Sequence, residues 1–148
     1  MRKASFSVSI NIQAPLETVF AYVTDLSKHG EWSANPLEVE AISPGSPVVG
    51  SRYRSVAQVG ARRIQAEFEV TEYEPPVSFR FVGEDLTGKY EHDFKLQAHQ
   101  GGTRLMRRIR FNLTMPQWLL FYATLFSVRI PAGKKSLALL KKRLEKGQ

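Results

Sequence analysis

Cysteine is missing from all 148 residues. Disulfides and thiolate metal sites are thereby excluded, and the redox compartment is left open with a reducing cytoplasm as the default. A long hydrophobic run is missing too: the most apolar stretch, Trp118 to Val128, falls well short of the roughly 20 residues that cross a bilayer. The N-terminus, Met1-Arg2-Lys3-Ala4-Ser5, lacks the apolar core of a signal peptide, so a cytoplasmic location is expected. Neither Gly-x-Gly-x-x-Gly nor Gly-x4-Gly-Lys-Ser/Thr occurs, which argues against dinucleotide and triphosphate chemistry. Histidines are few, and His29, His92 and His99 fit no ligand spacing with a nearby carboxylate, so no metal or other cofactor is expected. His29 and His99 lie in turn-like contexts and read as ordinary surface residues.

Acidic residues are scarce at one end. The net charge is +7, yet residues 129–148 alone hold seven Lys or Arg against one Glu. A basic terminal helix of this kind is most simply the solvated side of an element whose other side is core. It can also attract phosphates, so a weak anionic membrane surface is a secondary partner and nucleic acid a less favoured one.

What is present is a clear order of elements. Phe6, Val8, Ile10 and Ile12 alternate with Ser5, Ser7, Ser9 and Asn11, the period of a strand with one buried face. Pro15 then starts a helix whose Leu16, Val19, Phe20 and Val23 form an apolar stripe. Ser27 is placed to cap a second short helix carrying Trp32, which Pro36 stops. Strands follow around Leu37 to Ala41, from Gly50, from about Arg62 to Glu72, around Phe79 and Phe81, from Tyr90 to Leu96 and from Leu105 to Leu113, with turns at Gly60, Gly83 to Gly88 and Gly101-Gly102. From Pro116 the period becomes helical. Leu119, Tyr122, Phe126, Ile130, Gly133, Leu137, Leu140 and Leu144 read as one buried stripe, and Pro131 predicts a bend or break near residues 127–132. The expected class is α+β in one domain spanning 1–148.

The strand, proline-started helix and tryptophan-ended turn of residues 10–36, with Glu72-Tyr73-Glu74-Pro75-Pro76 between two strands and Gly101-Gly102-Thr103-Arg104-Leu105 opening the last strand, resemble the START-like (SRPBCC) superfamily, in its polyketide cyclase/dehydrase and lipid-transport branch. The likeness covers nearly the whole chain. It implies a helix-grip fold: a seven-stranded antiparallel sheet wrapped around a long C-terminal helix, with two short helices between strands 1 and 2 and an internal hydrophobic cavity. It is specific for fold and nearly silent on substrate.

From that architecture the candidate ligand-binding residues are Trp32 at the cavity mouth, the aromatics Tyr53, Phe68, Phe79, Phe81, Tyr90 and Phe94, and Ile109, with Phe121 and Leu125, beside Trp118 and Tyr122, near the entrance. His92 and Arg107 join them by a charge argument: the opposite registers would bury Lys89, Glu91, Asp93 and Lys95, or Arg104, Arg108 and Arg110. A buried Arg107 then has to meet Asp25 or Glu31, water, or an anionic group on a ligand, unless a bulge after Gly102 turns it to solvent. No pair among Tyr53, Tyr90, His92, Arg107 and Asp25 forms a dyad, so no catalytic residue is assigned. The leading function is binding or transport of a lipid-like or aromatic small molecule, with a carboxylate or phenolate a favoured feature. An aromatase/cyclase or lyase acting on a polyketide-like substrate is the alternative, and a membrane- or RNA-surface module using the basic C-terminal helix is the third.

Overall fold

The computed structural model describes residues 1–146. Seven antiparallel strands form one sheet: β1 Arg2–Ile12, β2 Leu37–Ala41, β3 Arg52–Val59, β4 Arg62–Glu74, β5 Ser78–Asp85, β6 Gly88–His99 and β7 Gly102–Leu113, in the spatial order β1-β7-β6-β5-β4-β3-β2. Consecutive hairpins build β2 to β7, and β1 closes onto β7 with Phe6 opposite Ile109, Val8 opposite Arg107 and Ile10 opposite Leu105. The chain therefore crosses from one sheet edge to the other between β1 and β2. It does so through α1 (Leu16–Thr24) and a 3-10 turn, Leu26–Glu31. Three helical segments follow β7: α2 (Met115–Ala123), a π-helical turn (Leu125–Arg129) and α3 (Ile130–Glu145). This is the helix-grip arrangement, with the core between the inner sheet face and α1 and α3.

Charge and hydropathy decide the inner face. Tyr53, Phe68, Val70, Phe79, Phe81, Phe94, Leu96 and Leu105 are buried there with Val19, Phe20 and Val23 of α1 and Leu137 and Leu140 of α3. Each such side chain withdrawn from water contributes about 1.5–3 kcal/mol. The β6–β7 register runs unbroken from His99↔Gly102 to Tyr90↔Phe111, so no bulge follows Gly102 and Arg107 stays inward. The bulge lies in β4 instead, between Val70 and Glu72. It rotates Tyr73 onto Phe20 and Phe79, with ring centroids 5.6 and 6.3 Å away. α3 lies close on β1 because Gly133 has no side chain: a Cβ there would come within 3.3 Å of Phe6 and Val8.

Several local expectations change. Residues 83–88 are not a loop: β5 continues to Asp85 and β6 begins at Gly88. Ser27 does not cap the 3-10 turn, because its hydroxyl donates to the Asp25 carboxylate. The interruption falls mostly upstream of Pro131: α2 ends at Ala123, and Thr124 leaves the helical region with φ −106° and ψ 2°. The π-helical turn ends at Arg129, and Pro131 stands in the first turn of α3, where no amide donor is needed. The continuous buried stripe is incorrect in its first half. Leu119, Tyr122 and Phe126 are exposed, and it is Trp118, Phe121 and Leu125 that pack against Ala4, Phe6, Phe111 and Leu113. With no charged residue between Pro116 and Val128, both sides of α2 are apolar, and periodicity alone does not choose the buried one.

Candidate functional site

A cavity of about 260 Å3 opens between the inner sheet face and the turn that follows α1. Short side chains make the space: Ser55, Ala57 and Ala66 stand on β3 and β4 where larger residues would fill the concavity. Leu37, Val39, Ile64, Phe68, Phe81 and Phe111 supply its apolar wall. The polar lining consists of His29, Ser33 and Asn35 from the β1–β2 connection, Tyr90 and His92 from β6, Arg107 from β7, and Asp85 at the β5–β6 turn. Asp85 is committed locally, since its Oδ1 accepts from the backbone N–H and hydroxyl of Thr87. Among the described residues no other carboxylate lines this space.

Arg107 is the chemical centre of the site. It is 6 % exposed, and its guanidinium lies 5.3 Å from the Trp32 ring and 5.4 Å from the Phe94 ring, so aromatic faces replace part of its hydration. It donates to Nδ1 of His92 at 2.8 Å and to the hydroxyl of Ser136 at 3.4 Å. Its Nε has no acceptor among the described residues, and none of its hydrogen bonds reaches a carboxylate. Burial accordingly lowers its pKa to about 10, which leaves it charged at neutral pH. Neither Asp25 nor Glu31 is its partner: Asp25 bonds Ser27 and lies near Lys28, while Glu31 pairs with Arg143 and Tyr22.

His92 and His29 complete the cluster. Burial, then the positive charge of Arg107, pushes His92 well below the usual imidazole range, and the same two causes act on His29. Both rings are held flat against aromatics, His92 on Phe81 at 4.7 Å and His29 on Trp32 at 4.2 Å. An arginine donates only, so Nδ1 of His92 accepts and Nε2 carries the proton. The site thus offers a cation and neutral imidazole N–H donors, an arrangement suited to a carboxylate, phenolate or polarised carbonyl oxygen.

The sequence-derived candidates divide into three places. Phe68, Phe81, Tyr90, His92 and Arg107 line the cavity. Trp32, Phe79 and Phe94 are wholly buried behind it, Tyr53 stacks on Phe68 at 5.6 Å, and Ile109 stands opposite both His92 and Phe6 in the sheet. Phe121 and Leu125 belong to a second cluster one layer further, which reaches the cavity lining at Phe111, whose ring is 5.5 Å from Phe121. The sequence-derived candidates left out several polar residues of the site, among them His29, Ser136 and Ser55. His29 is buried rather than on the surface, because the 3-10 turn points it, like Leu26 three residues earlier, into the core. Ser136 shares the buried face of α3 with Gly133, Leu137 and Leu140, a spacing that was readable. Ser55 alternates with Tyr53 and Ala57 and was readable in the same way.

A larger hollow of about 830 Å3 lies on the opposite side of the sheet, lined by outward residues such as Arg52, Glu67, Glu69, Glu84, Lys89, Arg108 and Arg110. Some of its charges pair, as in Arg110–Glu91 at 2.6 Å and Arg52–Glu67 at 3.1 Å, whereas the inner cavity holds a buried cation whose hydrogen bonds reach no carboxylate. Among the described residues no cluster of His, Asp or Glu could hold a metal ion, and no helix is long and apolar enough to cross a membrane.

A sheet gripping a long C-terminal helix, with a small, partly polar cavity beside it, defines a START-like domain of the helix-grip fold. Residues 3–145 match the family described as polyketide cyclase/dehydrase and lipid transport, and the chain belongs to it. No curated protein matches the sequence. Among solved structures, TTHA0849 from Thermus thermophilus aligns with a TM-score of 0.80 at 20% identity, over 98% of this chain and 99% of that one. Protein Ms6760 from Mycobacterium smegmatis aligns with 0.74 at 15% identity, over 97% and 92%. The ZhuI aromatase/cyclase from a Streptomyces species, R1128, aligns with 0.77 at 12% identity, over 98% and 95%. Identities this low speak for the shared fold alone.

Proposed function

We propose that this protein binds a compact apolar molecule bearing one anionic or strongly accepting oxygen, and that Arg107 and His92 hold that oxygen. The observation that carries the reading is the buried guanidinium without a carboxylate. An isolated charge in an apolar interior is costly, so its retention beside a cavity points to a partner that arrives with the ligand. Size narrows the class. At about 260 Å3 the cavity falls just below the range of drug-sized pockets, about 300–1,000 Å3, which suits a one- or two-ring aromatic acid or a short acyl chain better than a long-chain lipid.

An aromatase/cyclase-like activity is the second reading. It is favoured by the Nε2–H of His92, a donor that can polarise a ketone oxygen, but Asp85, the single acid of the lining, is tied to its turn. Binding is therefore the stronger reading. The test is calorimetric titration with naphthoate and with naphthalene methanol, which have similar rings and differ in charge. Naphthoate should bind about tenfold or more tightly, a difference of about 1.4 kcal/mol. Equal affinity, or no heat from either, would remove the anion-holding role.

A further inference from the structure

α2 and the π-helical turn carry two apolar sides, of which one is packed. Trp118, Phe121 and Leu125 face the protein. Met115, Leu119, Tyr122 and Phe126, at helical steps of four, three and four, make the other row. Leu119 is 57% exposed and Phe126 is 80% exposed, with Leu120 and Val128 uncovered beside them. Gln117 donates to the carbonyl of Thr87 at 3.2 Å, which brings the β5–β6 turn and its exposed Leu86 to the same end of the molecule. Scattered apolar residues on a surface are ordinary, but a contiguous row marks contact with an apolar phase or partner.

Charge decides which. No Asp or Glu occurs from Phe94 to Leu144, a span holding eleven Lys or Arg. Exposed Arg2 lies 5.4 Å from the Trp118 ring at one side of the row and exposed Lys134 and Lys135 follow in α3, while the half-buried Arg129 turns inward onto the Phe111 and Phe121 rings at 5.4 and 4.6 Å. Two copies meeting through this face would bring like charges together. A fluid anionic interface accepts an apolar row and neutralises a basic border without needing matched hydrogen bonds.

We propose that this row is a membrane-docking surface, with Leu119, Leu120 and Phe126 entering the interface of an anionic bilayer while Arg2, Lys134 and Lys135 sit at headgroup level. The basic C-terminal turns of α3 are not the docking element, because Lys141 is bonded to Glu145 and the Asn11 carbonyl, and Arg143 to Glu31. The surface is separate from the cavity and does not depend on a ligand there.

Co-sedimentation of the full chain tests it, using vesicles of phosphatidylcholine alone and of phosphatidylcholine mixed with phosphatidylglycerol, at low and high salt. The wild type should prefer the anionic vesicles. Leu119→Ser and Phe126→Ser, both at exposed positions, should each weaken partitioning about tenfold with unchanged melting. Lys142→Gln, and Arg107→Leu in the cavity, should leave it unaltered. Absence of anionic binding at low salt overturns the proposal, as does binding that Lys142→Gln removes and Phe126→Ser does not. Self-association that Phe126→Ser abolishes, without vesicle binding, would assign the row to a second copy and overturn it equally.

Discussion

Arg107 donates to Nδ1 of His92 across 2.8 Å, and this bond ties the protonation state of the imidazole to the presence of the cation. With Nδ1 accepting, the ring is the Nε2–H tautomer, and a second positive charge beside the guanidinium is disfavoured. The pair therefore behaves as one cation with a fixed auxiliary donor.

Arg107→Leu separates binding from folding. A buried guanidinium without an acid costs stability, and replacing buried charged groups by apolar ones is often neutral or stabilising by about 1–4 kcal/mol. The variant is expected to melt at the same temperature or higher while losing its preference for naphthoate over naphthalene methanol. Thermal denaturation and calorimetric titration read the two effects separately. A variant that melts lower and keeps the preference would make Arg107 a structural residue.

Stability should fall on acidification through the histidines. Burial and the charge of Arg107 hold His29 and His92 well below the ordinary imidazole value of 6.5, so below that value the unfolded chain takes up protons that the native chain resists. Their contribution is fully present above about pH 6.5 and is lost as pH falls toward the folded-state values. The denaturation midpoint of the wild type should decline from about pH 6.5 downward, and His29→Gln combined with His92→Gln should flatten that decline. The wild type and double variant should be compared by urea titration across this window. An identical slope in both would show that carboxylates, not the imidazoles, set the acid limit.

The sheet and the inward placement of Arg107 and His92 were legible because alternation is strict and the opposite register would bury several charges in each strand. Long strands average over many residues, so one misleading position does not change the face. The short elements offered no such averaging. His29 stands in a 3-10 turn of six residues, where tertiary packing rather than period decides what is buried. The orientation of α2 was illegible for a different reason: both of its sides are apolar, and the choice depends on the space left by Ala4 and Leu113 across β1 and β7. Of the partners weighed for Arg107, neither Asp25 nor Glu31 reaches it; His92, already placed beside it, does, and the unforeseen partner is a serine on the buried stripe of α3.

Ser136 joins α3 to the site from behind. Its hydroxyl donates to the carbonyl of Trp32 at 2.8 Å and accepts from Arg107 at 3.4 Å. Ser136→Ala leaves the buried carbonyl without this donor, an expected loss of about 1–3 kcal/mol. It also frees the guanidinium to shift toward the cavity. Affinity for naphthoate should change less than in Arg107→Leu, because the cation remains. Urea denaturation and the same titration measure both, and a stability change within experimental error would show that the carbonyl finds another donor.

Tyr90 fills the space that Gly83 leaves opposite it in the β5–β6 pair. A Cβ at Gly83 would stand 2.5 Å from the phenol oxygen and ring carbon of Tyr90, while the ring edge of Tyr90 meets His92 at 5.3 Å. The obstructed atoms are the far end of a flexible side chain, so Gly83→Ala is expected to displace the ring at a cost of about 1–3 kcal/mol instead of unfolding the sheet. Because Tyr90 lines the cavity, the displaced ring should take up ligand space and weaken naphthoate binding several-fold. Tyr90→Ala should enlarge the cavity and make a following Gly83→Ala harmless. A double-mutant cycle on binding free energy is therefore expected to show strong coupling between the two positions. If the two effects simply add, the ring does not control the cavity, and Gly83→Ala acts through the sheet alone.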